Sequence, residues 1–135
     1  MHKRGNLEYL CDMANALNSI SDYVKKTSYK KFIKDKKSQD AVIYNIGILG
    51  EAVKNISNDL KRAEPDVAWK SIAGMRDKIV HFYFGVNIDI VWNVAKKKVP
   101  ELKKQVKRIL PQKSVKTPFF ETPSSEQHHN FFANC

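Results

Sequence analysis

Residues 41–50 read Ala41-Val42-Ile43-Tyr44-Asn45-Ile46-Gly47-Ile48-Leu49-Gly50, a run that is apolar nearly all round a helical wheel. A helix of that kind is buried on more than one side. It therefore runs through the centre of a bundle or joins a subunit interface. Gly47 and Gly50 each cost about 1 kcal/mol relative to Ala in a helix interior. Close approach of another helix is the usual compensation. Extended in both directions, the pattern predicts a helix from Ser38 to about Arg62, ended by Pro65 in Glu64-Pro65-Asp66.

On the N-terminal side, Leu7, Leu10, Cys11, Ala14, Leu17 and Val24 recur at helical spacing, with Asn6 placed as an N-cap. An amphipathic helix to about Lys26 follows, then a short turn that Ser28 can cap, then a Lys-rich exposed connection to Lys37. On the C-terminal side a short helical segment spans Val67 to Ile72, and a further helix spans Gly74 to Tyr83. Asn87 caps the next helix, Ile88 to Ala95, where Lys96, Lys97 and Lys98 suit the C-terminal dipole. Pro100 starts or kinks a last segment to Leu110. No alternating strand pattern is present. The expected fold is all-α, an up-and-down bundle of four to five helices over residues 1–110. Residues 111–135 contain Pro111, Pro118 and Pro123 and no period, and are expected to form a flexible C-terminal tail.

The chain has 135 residues and a formal charge of +10. All of that excess lies in residues 1–110, with 22 basic and 12 acidic side chains, so it belongs to the expected folded part. Such a surface favours a polyanionic partner. No run approaches the roughly 20 apolar residues of a membrane span. The polar N-terminus has no apolar signal segment behind it. Cys11 and Cys135 make no metal-ligand spacing, and the expectation is a reduced, cytoplasmic chain.

Few residues can carry chemistry. The sequence has no Gly-rich phosphate loop after a strand, no His and Cys ligand set and no nucleophile elbow. Of the four histidines, His2 is terminal, His128 and His129 lie in the tail, and only His81 sits within ordered sequence. It is the one candidate general acid or base of the imidazole type. Its surroundings read Met75-Arg76-Asp77-Lys78-Ile79-Val80-His81-Phe82-Tyr83-Phe84-Gly85. On an ideal helix Arg76 and Tyr83 share a face, and His81 lies about 140° from Arg76. Two readings stay open on spacing alone. Either Arg76 pairs with a carboxylate such as Glu51 and the rest is packing, or Arg76 and His81 approach where the helix loosens.

Arg76-x4-His81-x-Tyr83 resembles the Arg-x4-His-x-Tyr signature of HEPN-domain ribonucleases, and specifically of the HepT toxins. The likeness continues through Ser38-Gln39-Asp40-Ala41, Leu49-Gly50-Glu51-Ala52, Trp69-Lys70-Ser71-Ile72-Ala73-Gly74-Met75-Arg76, Tyr83-Phe84-Gly85, Ile90-Val91-Trp92 and Pro100-Glu101-Leu102, in the family's order. It runs from Leu7 to Leu110. This chain departs from the pattern at Phe82, where a small or polar residue is frequent, at Tyr44, where a basic residue is common, and at Asn87 in place of a frequent Asp.

The resemblance implies the toxin of a type VII-like toxin–antitoxin pair. Such toxins are homodimers that cut RNA, tRNA or mRNA, without metal or cofactor in a shared cleft. Their partner is an MntA-type nucleotidyltransferase antitoxin that silences them by AMP transfer to the motif tyrosine. Carried over, Arg76 and His81 are the catalytic pair and Tyr83 is the AMP acceptor. Asp77 and Glu51 support the motif, and Lys78, Lys96, Lys97 and Lys98 are candidate RNA contacts. The rival reading is a non-catalytic HEPN adaptor that binds nucleotide or docks a nucleotidyltransferase.

Overall fold

The structure, a computed structural model, describes residues 4–81, 87–111 and 135, apart from the side chains of Val80 and His81. Its elements are α1 (Asn6–Lys25), α2 (Tyr29–Phe32), α3 (Lys36–Asn55), α4 (Asn58–Ala63), α5 (Trp69–His81), α6 (Ile88–Asn93), a π-helical turn (Val94–Lys98) and α7 (Val99–Ile109). Among the described residues there is no strand, and no helix is long and apolar enough to cross a membrane. The all-α expectation holds.

Helix α3 is central, the first of the two places open to its apolar middle. It packs on α1 along one side and on α5 along another, while α1 also packs on α7. Met13, Leu17 and Ile20 of α1 face Val42, Ile46, Leu49 and Val53 of α3 in the core, all almost wholly buried. Their steps of three and four residues keep one stripe of each helix turned inward over several turns. A reciprocal pair closes the far end. The Asn6 amide donates to Ser57 Oγ at 2.9 Å, and the Ser57 backbone N–H donates to Asn6 Oδ1 at 2.9 Å. The two helices are therefore antiparallel.

Several boundaries differ from the sequence reading. Gly5, not Asn6, is the N-cap of α1, and its N–H is satisfied by Glu8 Oε1 at 2.9 Å. Helix α3 starts earlier than Ser38 because Asp35 caps it, accepting from the Ser38 backbone N–H. The helix expected to reach Arg62 instead breaks at Ile56, where the backbone turns extended, and Ser57 recaps the chain as α4. The segments expected as Val67–Ile72 and from Gly74 onward are one helix, α5, with Gly74 inside it. Its expected end at Tyr83 lies outside the described residues.

Two sequence expectations hold in detail. Ser28 caps α2 by accepting from the Lys31 N–H, and Asn87 caps α6 by accepting from the Asp89 N–H at 2.8 Å. Between α6 and α7 the chain does not stop at Lys96–Lys98 as expected. Pro100 has no N–H and its ring crowds the carbonyl four residues back. The π-helical turn of Val94–Lys98 widens the helix just there, and α7 continues with Pro100 in its first turn.

The first connection is better anchored than its lysines suggest. Phe32 is fully buried against Trp92, with ring centroids 5.1 Å apart, and Tyr29 meets the same indole edge-on at 6.1 Å. The Tyr29 hydroxyl hydrogen-bonds Asp89, which raises its pKa. Cys11 and Cys135 correct a further expectation. They form a disulfide across 124 residues of sequence, with Cα atoms 5.3 Å apart, so they are not two separate thiols. Distance along the chain carried no information about distance in space. Apart from Pro111 and Cys135, the expected tail lies outside the described residues.

Candidate active site

A groove of about 440 Å³ opens between α1, α3 and α5. Helix α1 contributes Tyr9 and Asp12, with Arg4 just before it; α3 contributes Ile43, Tyr44, Gly47, Ile48, Glu51 and Ala52; α5 contributes Arg76 and Ile79. The spacing of the α3 set explains its place. Tyr44, Gly47, Ile48 and Glu51 recur at three and four residues and form one stripe, on the side of α3 turned away from the buried Val42, Ile46, Leu49 and Val53. Tyr44 is 70% exposed, the largest exposure among the big apolar side chains of the described residues. At the rim, Arg4 pairs with Asp12 at 2.9 Å and lies over the Tyr9 ring, 4.8 Å from its centroid.

Arg76 is placed by the absence of a side chain opposite it. A Cβ on Gly50 would fall 2.1 Å from Arg76 Cβ and 2.5 Å from its Cγ. Only glycine lets the arginine stem cross α3 at that height. The expected close approach is thus found at Gly50, and not at Gly47, where an added Cβ meets nothing within 4 Å. From that crossing the guanidinium reaches Glu51 Oε1 at 3.5 Å through Nη2 and Asp77 Oδ1 at 3.3 Å through Nη1. Both contacts are long for charge-assisted hydrogen bonds, which close to about 2.8 Å. The buried Nε–H has no hydrogen-bond partner among the described residues.

Asp77 is held more closely from the other side. Lys54 Nζ donates to the same Oδ1 at 2.7 Å. The Asp77 carboxyl lies below its usual range, first because of the Lys54 hydrogen bond and then because of Arg76. Lys54 was not singled out by the sequence reading, although its position four residues beyond Gly50, on the same face of α3, was the available signal.

The structure brings together Arg76, Asp77 and Glu51 of the expected set. His81 is the last residue of α5, and its side chain lies outside the described residues, as do Phe82 and Tyr83. Lys78 is exposed on α5. Lys96, Lys97 and Lys98 do not line the groove. Lys96 is engaged elsewhere, donating to the Val24 carbonyl at 3.2 Å with its ammonium 5.1 Å from the Trp92 ring centroid. Among the described residues, no group of three or more His, Cys, Asp or Glu is arranged to hold a metal ion.

An all-helical bundle that presents an arginine at the start of an Arg-x4-His-x-Tyr run defines a HEPN-type ribonuclease class. The family model described as Ribonuclease HepT-like matches residues 13–109. This chain belongs to that family. It is 41% identical over 107 residues to a Thermococcus cleftensis protein named "Probable ribonuclease HepT", covering 79% of this chain and 97% of the relative. It is 43% identical over 102 residues to a Caldanaerobacter subterraneus subsp. tengcongensis protein whose name carries a provisional RNase designation, covering 76% and 91%. A Methanocaldococcus jannaschii protein with the same kind of designation is 38% identical over 110 residues, covering 82% and 91%. No solved structure matches.

Proposed function

We propose that this chain is the toxin of a toxin–antitoxin pair, an endoribonuclease that works as a homodimer without a metal ion and is silenced by AMP transfer to Tyr83. The observation that carries the reading is Arg76, set in a groove by Gly50 with its guanidinium only loosely paired. A planar fork held in that way is suited to the oxygens of a phosphodiester.

The residue types fit metal-free cleavage. A base removes the proton of the ribose 2′-hydroxyl, whose oxygen attacks phosphorus. The 5′-oxygen leaves as it takes a proton from an acid, and a cyclic 2′,3′-phosphate remains. One motif histidine per chain cannot readily serve as base and acid at once, whereas two chains supply two. Arg76 stabilises the charge that builds on the phosphorane. The half-exposed stripe of Ile43, Tyr44, Gly47 and Ile48 supports pairing of two copies along α3. AMP on Tyr83 adds negative charge and bulk, and either one opposes RNA. The organisation proposed is a HEPN domain over 1–110 with a C-terminal tail over 111–135, acting on tRNA or mRNA. A nucleotidyltransferase antitoxin is the partner, and Lys78, Lys97 and Lys98, all exposed, are the candidates for backbone contacts.

Expression without a partner tests this reading, with wild type beside Arg76→Ala and His81→Ala. Growth arrest by wild type alone, with RNA fragments accumulating in the presence of a chelator in vitro, is the expected result. No arrest by any of the three favours the non-catalytic adaptor. A large excess of His81→Ala chains mixed with wild type tests the shared cleft, since full activity per wild-type subunit contradicts it.

A further inference from the structure

Arg76 has a carboxylate immediately beside it in sequence, and yet its guanidinium stays loosely paired. Side chains at consecutive helical positions point about 100° apart, so Asp77 must lean to reach Arg76. Its Oδ1 accepts from both, but more closely from Lys54, at 2.7 Å against 3.3 Å for Arg76 Nη1. Glu51, the other acidic neighbour, stands at 3.5 Å from Nη2 with its side chain 60% exposed, so water screens that pair. Asp77 is therefore the group able to neutralise the arginine, and Lys54 is the group that occupies it. We propose that Lys54 is a positioning residue for Arg76: by holding the Asp77 carboxylate at the α3–α5 contact, it stops that carboxylate from closing on the guanidinium and keeps the fork open to an RNA phosphate. The inference rests on the ribonuclease reading above, and Lys54 itself touches no substrate in it.

The geometry of α3 supports the pairing of roles. Gly50 and Lys54 lie four residues apart, one turn of the same face. The first admits the Arg76 stem, and the second restrains the carboxylate next to it. Both the steric and the electrostatic setting of the arginine thus come from a single face of one helix.

The test uses the full chain and a short, fluorescein-labelled 2′-O-methyl RNA, which binds but lacks the 2′-hydroxyl nucleophile. Fluorescence anisotropy across a salt series gives affinity and salt slope. Arg76→Ala sets the scale, with affinity about tenfold lower and a salt slope smaller by about one. Lys54→Met is expected to weaken binding by about three- to tenfold with a similar loss of slope, and Lys54→Arg to restore wild-type affinity. In an Asp77→Asn background, Lys54→Met is expected to change affinity less than about twofold, because the competing carboxylate is gone. An equal loss in that background means that Lys54 contacts RNA directly and overturns the inference. Wild-type affinity of Lys54→Met, beside a weakened Arg76→Ala, overturns it and leaves the ribonuclease reading standing. Wild-type affinity of Arg76→Ala removes Arg76 from RNA binding and defeats both. Circular dichroism melts of each variant identify any loss that comes from unfolding, and Lys54→Gln replaces Lys54→Met if the latter does not fold.

Discussion

At the scale of single residues, the two glycines of α3 are chemically identical and structurally opposite. Gly50→Ala places a methyl group against the Cβ and Cγ of Arg76, and the α5 backbone fixes that Cβ. The helices must part, and we expect a net loss of about 1–3 kcal/mol in a urea melt, despite the better helix propensity of alanine. Gly47→Ala meets nothing, and in the isolated chain it is expected to gain up to about 1 kcal/mol. If two copies pair through this stripe, the same substitution lowers dimer affinity while raising monomer stability. Asp77 gives a pH signature. Its folded pKa is lowered, so the stability it contributes is fully present above its ordinary value of about 3.9 and is lost as pH falls through the folded value. Asp77→Asn is expected to flatten the acid limb of a stability-against-pH curve below about pH 4. An unchanged limb would assign that limb to Asp35 and Asp66, whose pKa values are also lowered, by Ser38 and by Arg108.

At the scale of elements, the periodic helices were legible and their interruptions were not. Helices α1 and α3 announce themselves because a buried stripe needs apolar residues every three or four positions, whatever lies opposite. The break at Ile56 has no such local signal. Ser57 caps α4 by accepting from the Leu60 N–H, but it is also clasped by Asn6, 51 residues earlier. We expect Ser57→Ala to cost about 1–2 kcal/mol, more than a simple cap. A double-mutant cycle with Asn6→Ala measures the excess as a coupling of about 0.5 kcal/mol or more. Additive losses would mean that the clasp is incidental to α4. Arg108 does similar work at the other side, pairing with Asp66 at 2.9 Å and Glu64 at 2.8 Å and so fastening α7 to the chain between α4 and α5.

At the scale of the whole molecule, the Cys11–Cys135 disulfide joins α1 to the last residue of the sequence. Peptide mapping without reductant is expected to recover the two cysteine peptides joined. A cross-link closing so long a loop constrains the unfolded chain by up to about 5 kcal/mol in the loop-entropy account. Reduction, or Cys11→Ser, is therefore expected to lower the melting temperature measurably. A joined peptide with an unchanged melting temperature would mean that the link leaves the core of α1, α3 and α7 indifferent to it. Part of the basic charge lies apart from the groove. Lys96 is engaged with Val24 and Trp92, and Lys103 is close enough to Lys25 for their repulsion to add to the burial that lowers its pKa. These groups gather where α1, the π-helical turn and α7 meet, away from the groove that holds Arg76.

The sequence by itself determined the helical class, the burial of α3 on more than one side and the place of Arg76 at the head of its motif. Each of these depends on a local period or on an ordered series of motifs. Only the tertiary structure decided that Gly50, and not Gly47, makes room for Arg76, that Lys54 shares Asp77 with it, and that two cysteines at opposite ends of the sequence are bonded. Those are facts of contact between segments remote along the chain, and spacing within one segment cannot encode them.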